Sequence, residues 1–331
     1  MSEQLTPGPA EPAHKEVEPV SALRASDPRS PQQSTASGAL PSAQSGLEGV
    51  ETSATRRLSL SKPPILTPEV STSSTSLDTG STSSGDTSHW RRTVSFVRRT
   101  ERLTEAQQRV WDTRRDAYLV DVPRGAGGTL SVDPTWAFDA AATFGREAPI
   151  VVEIGTGQGE NVVAAASASP EQNFLGVEVY TPGVARAMVR AEALDPGAGL
   201  ANLRMAQVNA VDFLATGLPE GSVDELWVFF PDPWPKRGHH KRRMLNADFA
   251  TLAARVLRPG GVLRIATDWP HYAEQIRETF DAADGFTNEA GSGNFAPRFD
   301  GRILTAFEAR GIKAARPIAD LTYRRVALGV D

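Results

Sequence analysis

The sequence predicts an α/β protein with a mostly parallel sheet covered by helices on both faces, preceded by a tail that has no core of its own. Three observations carry this. From Pro149 onward, short apolar runs alternate with amphipathic stretches, as expected of strands buried on both faces and joined by helices. A glycine-rich turn, Gly155-Thr156-Gly157-Gln158-Gly159, follows the first of those runs. No Phe, Tyr or Trp occurs before Trp90, and about half of that stretch is Ser, Thr, Pro or Gly, too little apolar surface to offset chain entropy. Residues 1–89 are therefore read as a disordered tail and 90–331 as the folded domain.

The elements follow in order. Ile150 to Ile154 is the first strand, and Glu160 to Ala168 the helix after the glycine turn. Phe174 to Val179 is the second strand. Thr181 then caps a helix with Pro182 at its first position. Asn202 to Val208 is the third strand and Val223 to Phe230 the fourth. A helix through Leu252 to Leu257 ends at Pro259-Gly260-Gly261, and Val262 to Thr267 is the fifth strand, with Asp268 at its end. Trp269 to Ala283 reads as a helix, and Leu321 to Leu328 as a late strand that alternates apolar and polar residues.

Composition narrows the chemistry. The chain has 331 residues and no cysteine, which excludes disulfides, a thiol nucleophile and cysteine-ligated zinc. No stretch is long and apolar enough to span a bilayer. No apolar run follows the start, and Glu3, Glu11, Glu16 and Glu18 are too many acids for a transit peptide, so a cytosolic protein is the default. Net charge is −5, yet the cations concentrate at Arg91 to Arg102, which includes Arg98 and Arg99, and at Lys236 to Arg243. Local patches steer polyanions, not totals.

Chemistry gathers where the strands end, the edge at which open α/β sheets bind ligands. The first turn has G-x-G-x-G spacing, and Glu153 stands two residues before Gly155. An acid there serves a pyrophosphate poorly and a cationic ligand well. S-adenosylmethionine carries a sulfonium and an ammonium, so Glu153, Gly155 and Gly157 suit it better than a dinucleotide. Glu178, at the end of the second strand, stands where an acid accepts ribose hydroxyls. Asn209, past the third strand, has the donor and acceptor needed to read an adenine edge. Asp212 reads as a helix-cap or surface acid.

The loop Pro231-Asp232-Pro233-Trp234-Pro235 continues into Lys236, Arg237, His239, His240, Lys241, Arg242 and Arg243. Its alternating prolines hold Asp232 and Trp234 in extended geometry. One rigid carboxylate among many cations suits a polyanion carrying a base to be reacted upon. Adjacent His239 and His240 have no third ligand in sight, so they read as RNA contacts or loop polar groups, with no metal.

Taken together, the segments V-E-I-G-T-G-Q-G, F-L-G-V-E-V, F-F-P-D-P-W-P-K-R-G-H-H-K-R-R, A-T-D-W and T-A-F-E-A-R-G, with S-F-V-R-R near Ser95 and F-G-R-E-A-P before the first strand, resemble the bacterial tRNA (guanine-N-7)-methyltransferases from about Trp90 onward. Glu101 departs from the glycine usual there, and the long tail has no counterpart in compact members. The resemblance implies a class I methyltransferase (Rossmann-like) sheet of seven strands, the last antiparallel. It implies transfer of a methyl group from S-adenosylmethionine to N-7 of a guanine in the variable loop of tRNA. Glu153, Glu178, Asn209 and Asp232 match the family's cofactor positions, and Asp232 also its catalytic position. Lys236, Asp268, Thr305, Ala306, Phe307 and Glu308 match its tRNA- or guanine-binding positions. Arg237, Lys241, Arg242, Arg243, Arg98 and Arg99 would hold phosphates, and Trp234 or Phe307 would stack on the base or merely pack. Two rivals remain: an amino-group nucleobase methyltransferase, whose loop would carry adjacent prolines, and a non-catalytic RNA-binding protein on the same scaffold.

Overall fold

The computed structural model describes residues 102–327. The tail, the boundary at Trp90, Arg98, Arg99 and Leu328 lie outside the described residues. The first elements are helices α1 (Glu105–Tyr118) and α2 (Ala140–Phe144). Then β1 (Ile150–Ile154), α3 (Glu160–Ala168), β2 (Asn173–Val177), α4 (Thr181–Leu194) and β3 (Leu203–Ala206) alternate. After the short α5 (Ala210–Asp212) come β4 (Val223–Phe229), α6 (Ala247–Val256), β5 (Leu257–Thr267) and α7 (Pro270–Asp281). The chain closes with β6 (Phe286–Asn288), α8 (Ala306–Lys313) and β7 (Ala319–Arg325).

The seven strands form one sheet in the order β3-β2-β1-β4-β5-β7-β6. The first five run parallel, and β7 pairs antiparallel with both β5 and β6. From β1 the chain moves outward through β2 and β3, then returns to lay β4 and β5 on the other side. The reversal opens a crevice beyond the carboxyl ends of β1 and β4.

Side-chain alternation divides the core. Val151 and Trp227 face the layer of α3 and α4, packing with Val162, Val184 and Met188. Ile150, Val152, Ile154, Leu226 and Val228 face the opposite layer, with Phe249, Tyr272 and Ile276. A strand with both faces covered has no polar face, which is why these strands are mostly apolar and do not alternate polar with apolar residues. Helix α1 starts with a capping box in which Thr104 and Gln107 exchange backbone and side-chain hydrogen bonds. Gln107 Nε2 also donates to the Pro182 carbonyl at 2.9 Å, which docks α1 against the start of α4. No helix among the described residues is long and apolar enough to cross a membrane.

Several expected boundaries shift. Thr181 does not cap α4: the cap position is Tyr180, without a side-chain bond, and Thr181 Oγ1 instead accepts from Gln207 Nε2 at 2.7 Å. The local amides of Val179 and Tyr180 are taken by Glu178. Helix α6 stops at Val256 and β5 begins at once, because Leu257 pairs with Val223. Pro259-Gly260-Gly261 lies inside β5, at a register irregularity opposite Val223 to Glu225. Strand β7 starts at Ala319, two residues before the expected Leu321, and ends at Arg325. The sequence reading has no counterpart for α1, α2, β6 or α8.

Candidate active site

Five polar side chains meet the carboxyl edge of the parallel strands. Glu153 is the penultimate residue of β1, and Glu178 follows β2. Asn209 caps α5 after β3, Asp232 lies beyond β4, and Asp268 directly follows β5.

The glycine turn borders open space. Gly155 and Gly157 adopt φ of 71° and 57°, in the left-handed region that glycine tolerates without cost, and a Cβ on either would meet no atom within 4 Å. Glu178 pins the turn: its Oε2 accepts from Gly157 N at 2.8 Å, and its Oε1 accepts from Val179 N at 2.8 Å and Tyr180 N at 2.9 Å. A Cβ on Gly183, at the start of α4, would lie 2.3 Å from the Gly157 carbonyl oxygen, so the helix and turn touch backbone to backbone. Thr156 Oγ1 is buried in the turn with no hydrogen-bond partner.

Glu153 is 4% exposed, and its Oε2 accepts from Asn161 Nδ2 at 3.1 Å. Burial, reinforced by the neighbouring Glu178 charge, pushes the Glu153 carboxyl up to about 8. A cation brought to this carboxylate would reverse that penalty. Two acids, open-faced glycines and an orphaned hydroxyl fit a ligand with positive charge and hydroxyl groups, as S-adenosylmethionine has. Asn209 is more committed than its sequence position implied. Its Oδ1 accepts from Val211 N and Asp212 N, so the acceptor half of the amide serves the helix.

The loop after β4 is strained and fastened. Phe230 still pairs with the sheet, donating to Ala266 O at 2.7 Å, but takes φ of 54°, and Trp234 takes φ of 42°, not the extended geometry its flanking prolines predict. Non-glycine residues adopt such values rarely and only where their surroundings impose them. Asp232 between them is exposed and makes no hydrogen bond or ion pair among the described residues. Lys236 leads into a 3₁₀ turn, Arg237–Arg242, whose Arg242 guanidinium lies 5.0 Å from the Trp234 ring centroid while His239 meets that ring edge-on. Lys236, Arg237 and Lys241 are exposed. Arg237 and His240 line a cleft of about 480 Å³ with Pro235, Trp269 and His271.

Arg243 corrects the expectation. It is 1% exposed, so it cannot meet a phosphate. Its Nε donates to the Pro233 carbonyl at 2.8 Å, its Nη1 to Gln275 Oε1 at 2.6 Å, and its guanidinium lies 4.7 Å from the Tyr272 ring centroid. The last cation of the basic run is thus a strut under the loop.

Helix α8 covers the same edge. Thr305 caps it, accepting from Glu308 N at 3.2 Å, and Ala306 N donates to Glu160 Oε2 at 2.6 Å. Glu308 was expected against the substrate, but it is 1% exposed and paired with Arg302, whose Nη1 lies 2.6 Å away, and with Arg298 at 3.2 Å. Its carboxylate is thus committed to Arg302 and Arg298. Arg302 Nη2 also donates to both oxygens of Asp320 at 2.8 Å, and its guanidinium lies 5.3 Å from the Phe230 ring centroid. Sequence reasoning missed Arg302, whose acid partners are scattered along the chain without periodicity. Phe307 remains 44% exposed and packs on Phe230 at 5.2 Å. Asp268 pairs with Arg316 Nε at 2.9 Å, at the far end of α8. No group of three or more His, Asp or Glu forms a metal-binding cluster among the described residues.

Residues 147–321 match the family model described as a putative methyltransferase. The chain is 41% identical over 282 residues to the tRNA (guanine-N(7)-)-methyltransferase of Arthrobacter sp. (strain FB24), covering 71% of this chain and 87% of that protein. It is 45% identical over 234 residues to the enzyme of the same name from Cutibacterium acnes (70% and 83% covered). It is 41% identical over 249 residues to that of Pseudomonas putida (75% and 98% covered).

Proposed function

The chain belongs to the tRNA (guanine-N(7)-)-methyltransferase family, and from that membership we propose that it transfers the methyl group of S-adenosylmethionine to N-7 of a guanine in tRNA at the strand-end site described above. The observation that carries this is that the carboxyl edge of the neighbouring parallel strands gathers Glu153, Glu178 and the open glycine turn with Asp232 and Asp268, while Phe307 packs on Phe230 beside Asp232.

Guanine N-7 carries an in-plane lone pair, so no proton need be removed before it attacks. The protein's tasks are positioning and electrostatics. Bound S-adenosylmethionine supplies an electrophilic methyl group. Glu153 offers its carboxylate to a cationic centre, and Glu178 its carboxylate to ribose hydroxyls. Gly155 and Gly157 leave the room that a side chain would fill. Asp232 accepts from the guanine ring NH and amino group, which adenine does not offer in that arrangement, and offsets the positive charge that the base acquires. Asp268, anchored by Arg316, adds negative potential on the same edge. Phe307 gives the extruded base a stacking surface; Trp234 is engaged by Arg242 and His239. Lys236, Arg237 and Lys241 hold phosphates flanking the base, with Arg242 behind them.

The experiment is nucleoside mass spectrometry of unmodified tRNA incubated with protein and S-adenosylmethionine. The proposal requires 7-methylguanosine to appear. Methylated adenosine or cytidine would point to the amino-group rival, and binding of tRNA without any methylation to the non-catalytic one.

A further inference from the structure

Asn161 sits in the first turn of α3, 3% exposed, with both ends of its amide in use. Nδ2 donates to Glu153 Oε2 at 3.1 Å, and Oδ1 accepts from the Ile303 backbone N–H at 3.1 Å. The Ile303 backbone N–H can only donate, so it takes the amide oxygen and leaves Nδ2 to donate to Glu153 Oε2. Burying an amide costs free energy unless both halves are bonded, so this residue type is matched to its two partners. Its neighbour Glu160 repeats the reach. Glu160 Oε2 accepts from Ala306 N, and its Oε1 is paired with Arg190 Nη2 at 2.8 Å. Two consecutive residues of α3 thus fasten the 303–306 segment, and Phe307 follows directly. A segment more than a hundred residues away in sequence is tied to the carboxylate that faces the cofactor side.

We propose that Asn161 is a positioning residue with two duties: one end of its amide aims the Glu153 carboxylate at the cofactor, and the other seats the 303–306 segment so that Phe307 stands over the target base. The inference rests on the functional reading of Glu153 and Phe307 given above. Asn161 touches no reacting atom. Its effect passes through those two groups, and the two arms separate chemically. Leucine at this position has similar bulk and removes both bonds. Aspartate keeps an oxygen for the Ile303 N–H but has no N–H for Glu153.

The test measures S-adenosylmethionine affinity by calorimetry without RNA, and KM for tRNA at saturating cofactor, in the wild type, Asn161→Leu and Asn161→Asp. Asn161→Leu is expected to raise both the cofactor Kd and the tRNA KM by about tenfold, the loss of one buried hydrogen bond in each arm. Asn161→Asp is expected to return the tRNA KM to within about twofold of wild type, because its acceptor is restored. A residue that merely packs α3 would lower the melting temperature and the active fraction while leaving Kd and KM of the folded protein unchanged. That outcome overturns the proposal, as does failure of aspartate to restore KM. If the leucine variant does not fold, Asn161→Ser replaces it, its side chain being too short to reach either partner. A wild-type protein that fails to bind cofactor or to methylate tRNA would overturn the functional reading instead, before any variant is compared.

Discussion

Arg243 Nε donates to the carbonyl of Pro233 at 2.8 Å, so the final cation of a basic run supports, from inside the protein, the loop that carries Asp232. The loop needs such support: Phe230 and Trp234 on either side of Asp232 hold positive φ values. A cation that looks from sequence like one more phosphate ligand instead keeps a strained backbone in place.

Arg243 and its exposed neighbours should therefore fail in different ways. Arg243→Ala leaves the Pro233 carbonyl and Gln275 without their donor and should lower stability by about 2–4 kcal/mol, read from urea denaturation. Lys236→Ala with Lys241→Ala should leave stability nearly unchanged. That pair should weaken tRNA binding and flatten the slope of log affinity against log salt by roughly one for each phosphate no longer neutralised. A flattened salt slope in Arg243→Ala without loss of stability would contradict the strut.

The Arg302 network is the second buried ionic device. Arg302 joins Glu308 to Asp320, and both it and Glu308 are 1% exposed. Arg302→Met leaves the buried Asp320 carboxylate without its cation and Glu308 with Arg298 alone, and should cost about 3–5 kcal/mol. The same variant should raise the KM for tRNA more than the Kd for cofactor, because the segment ahead of α8 loses its anchor. Equal stability of variant and wild type in chemical denaturation would show that the network is dispensable.

The raised Glu153 carboxyl has a consequence for pH. The unfolded chain releases this proton near the ordinary value of 4.5, whereas the folded protein holds it until about 8. Between those limits the folded state binds more protons, so this group makes stability fall as pH rises from about 4.5 to about 8, and adds no further slope above that. The size is on the order of a few kcal/mol. Glu153→Gln removes the contribution, so cofactor-free wild type and variant should diverge in denaturation midpoint between pH 5 and pH 8. Parallel curves would contradict the buried, protonated carboxyl.

Much of this was legible in the sequence, for a physical reason. Strands such as Ile150–Ile154 and the Leu226–Phe229 half of β4 lie between two helical layers and so are mostly apolar. A parallel sheet then delivers Glu153, Glu178 and Asp268 to one edge without further information. Strand β6 is only three residues long, and α8 exposes Phe307 and Ile312, so neither shows a clean period. The burial of Arg243 is hidden by its contiguity with exposed cations. The pairings of Arg302 with Asp320 and of Asn161 with Ile303 span 18 and 142 residues, and no local pattern encodes them. The early end of α6 was missed because the proline and glycines that usually stop a helix lie instead within the following strand.

The central claim is that the Asp232 carboxylate, held out on a fastened loop, orients guanine and offsets the charge it gains. The measurement that addresses it most directly is the single-turnover methylation rate of Asp232→Ala at saturating tRNA and S-adenosylmethionine, with folding checked by circular dichroism. The account predicts a fall of about 10²–10³-fold or more in an intact fold, since a positioned electrostatic group is lost from the transition state. A folded Asp232→Ala protein that keeps the wild-type single-turnover rate would contradict it.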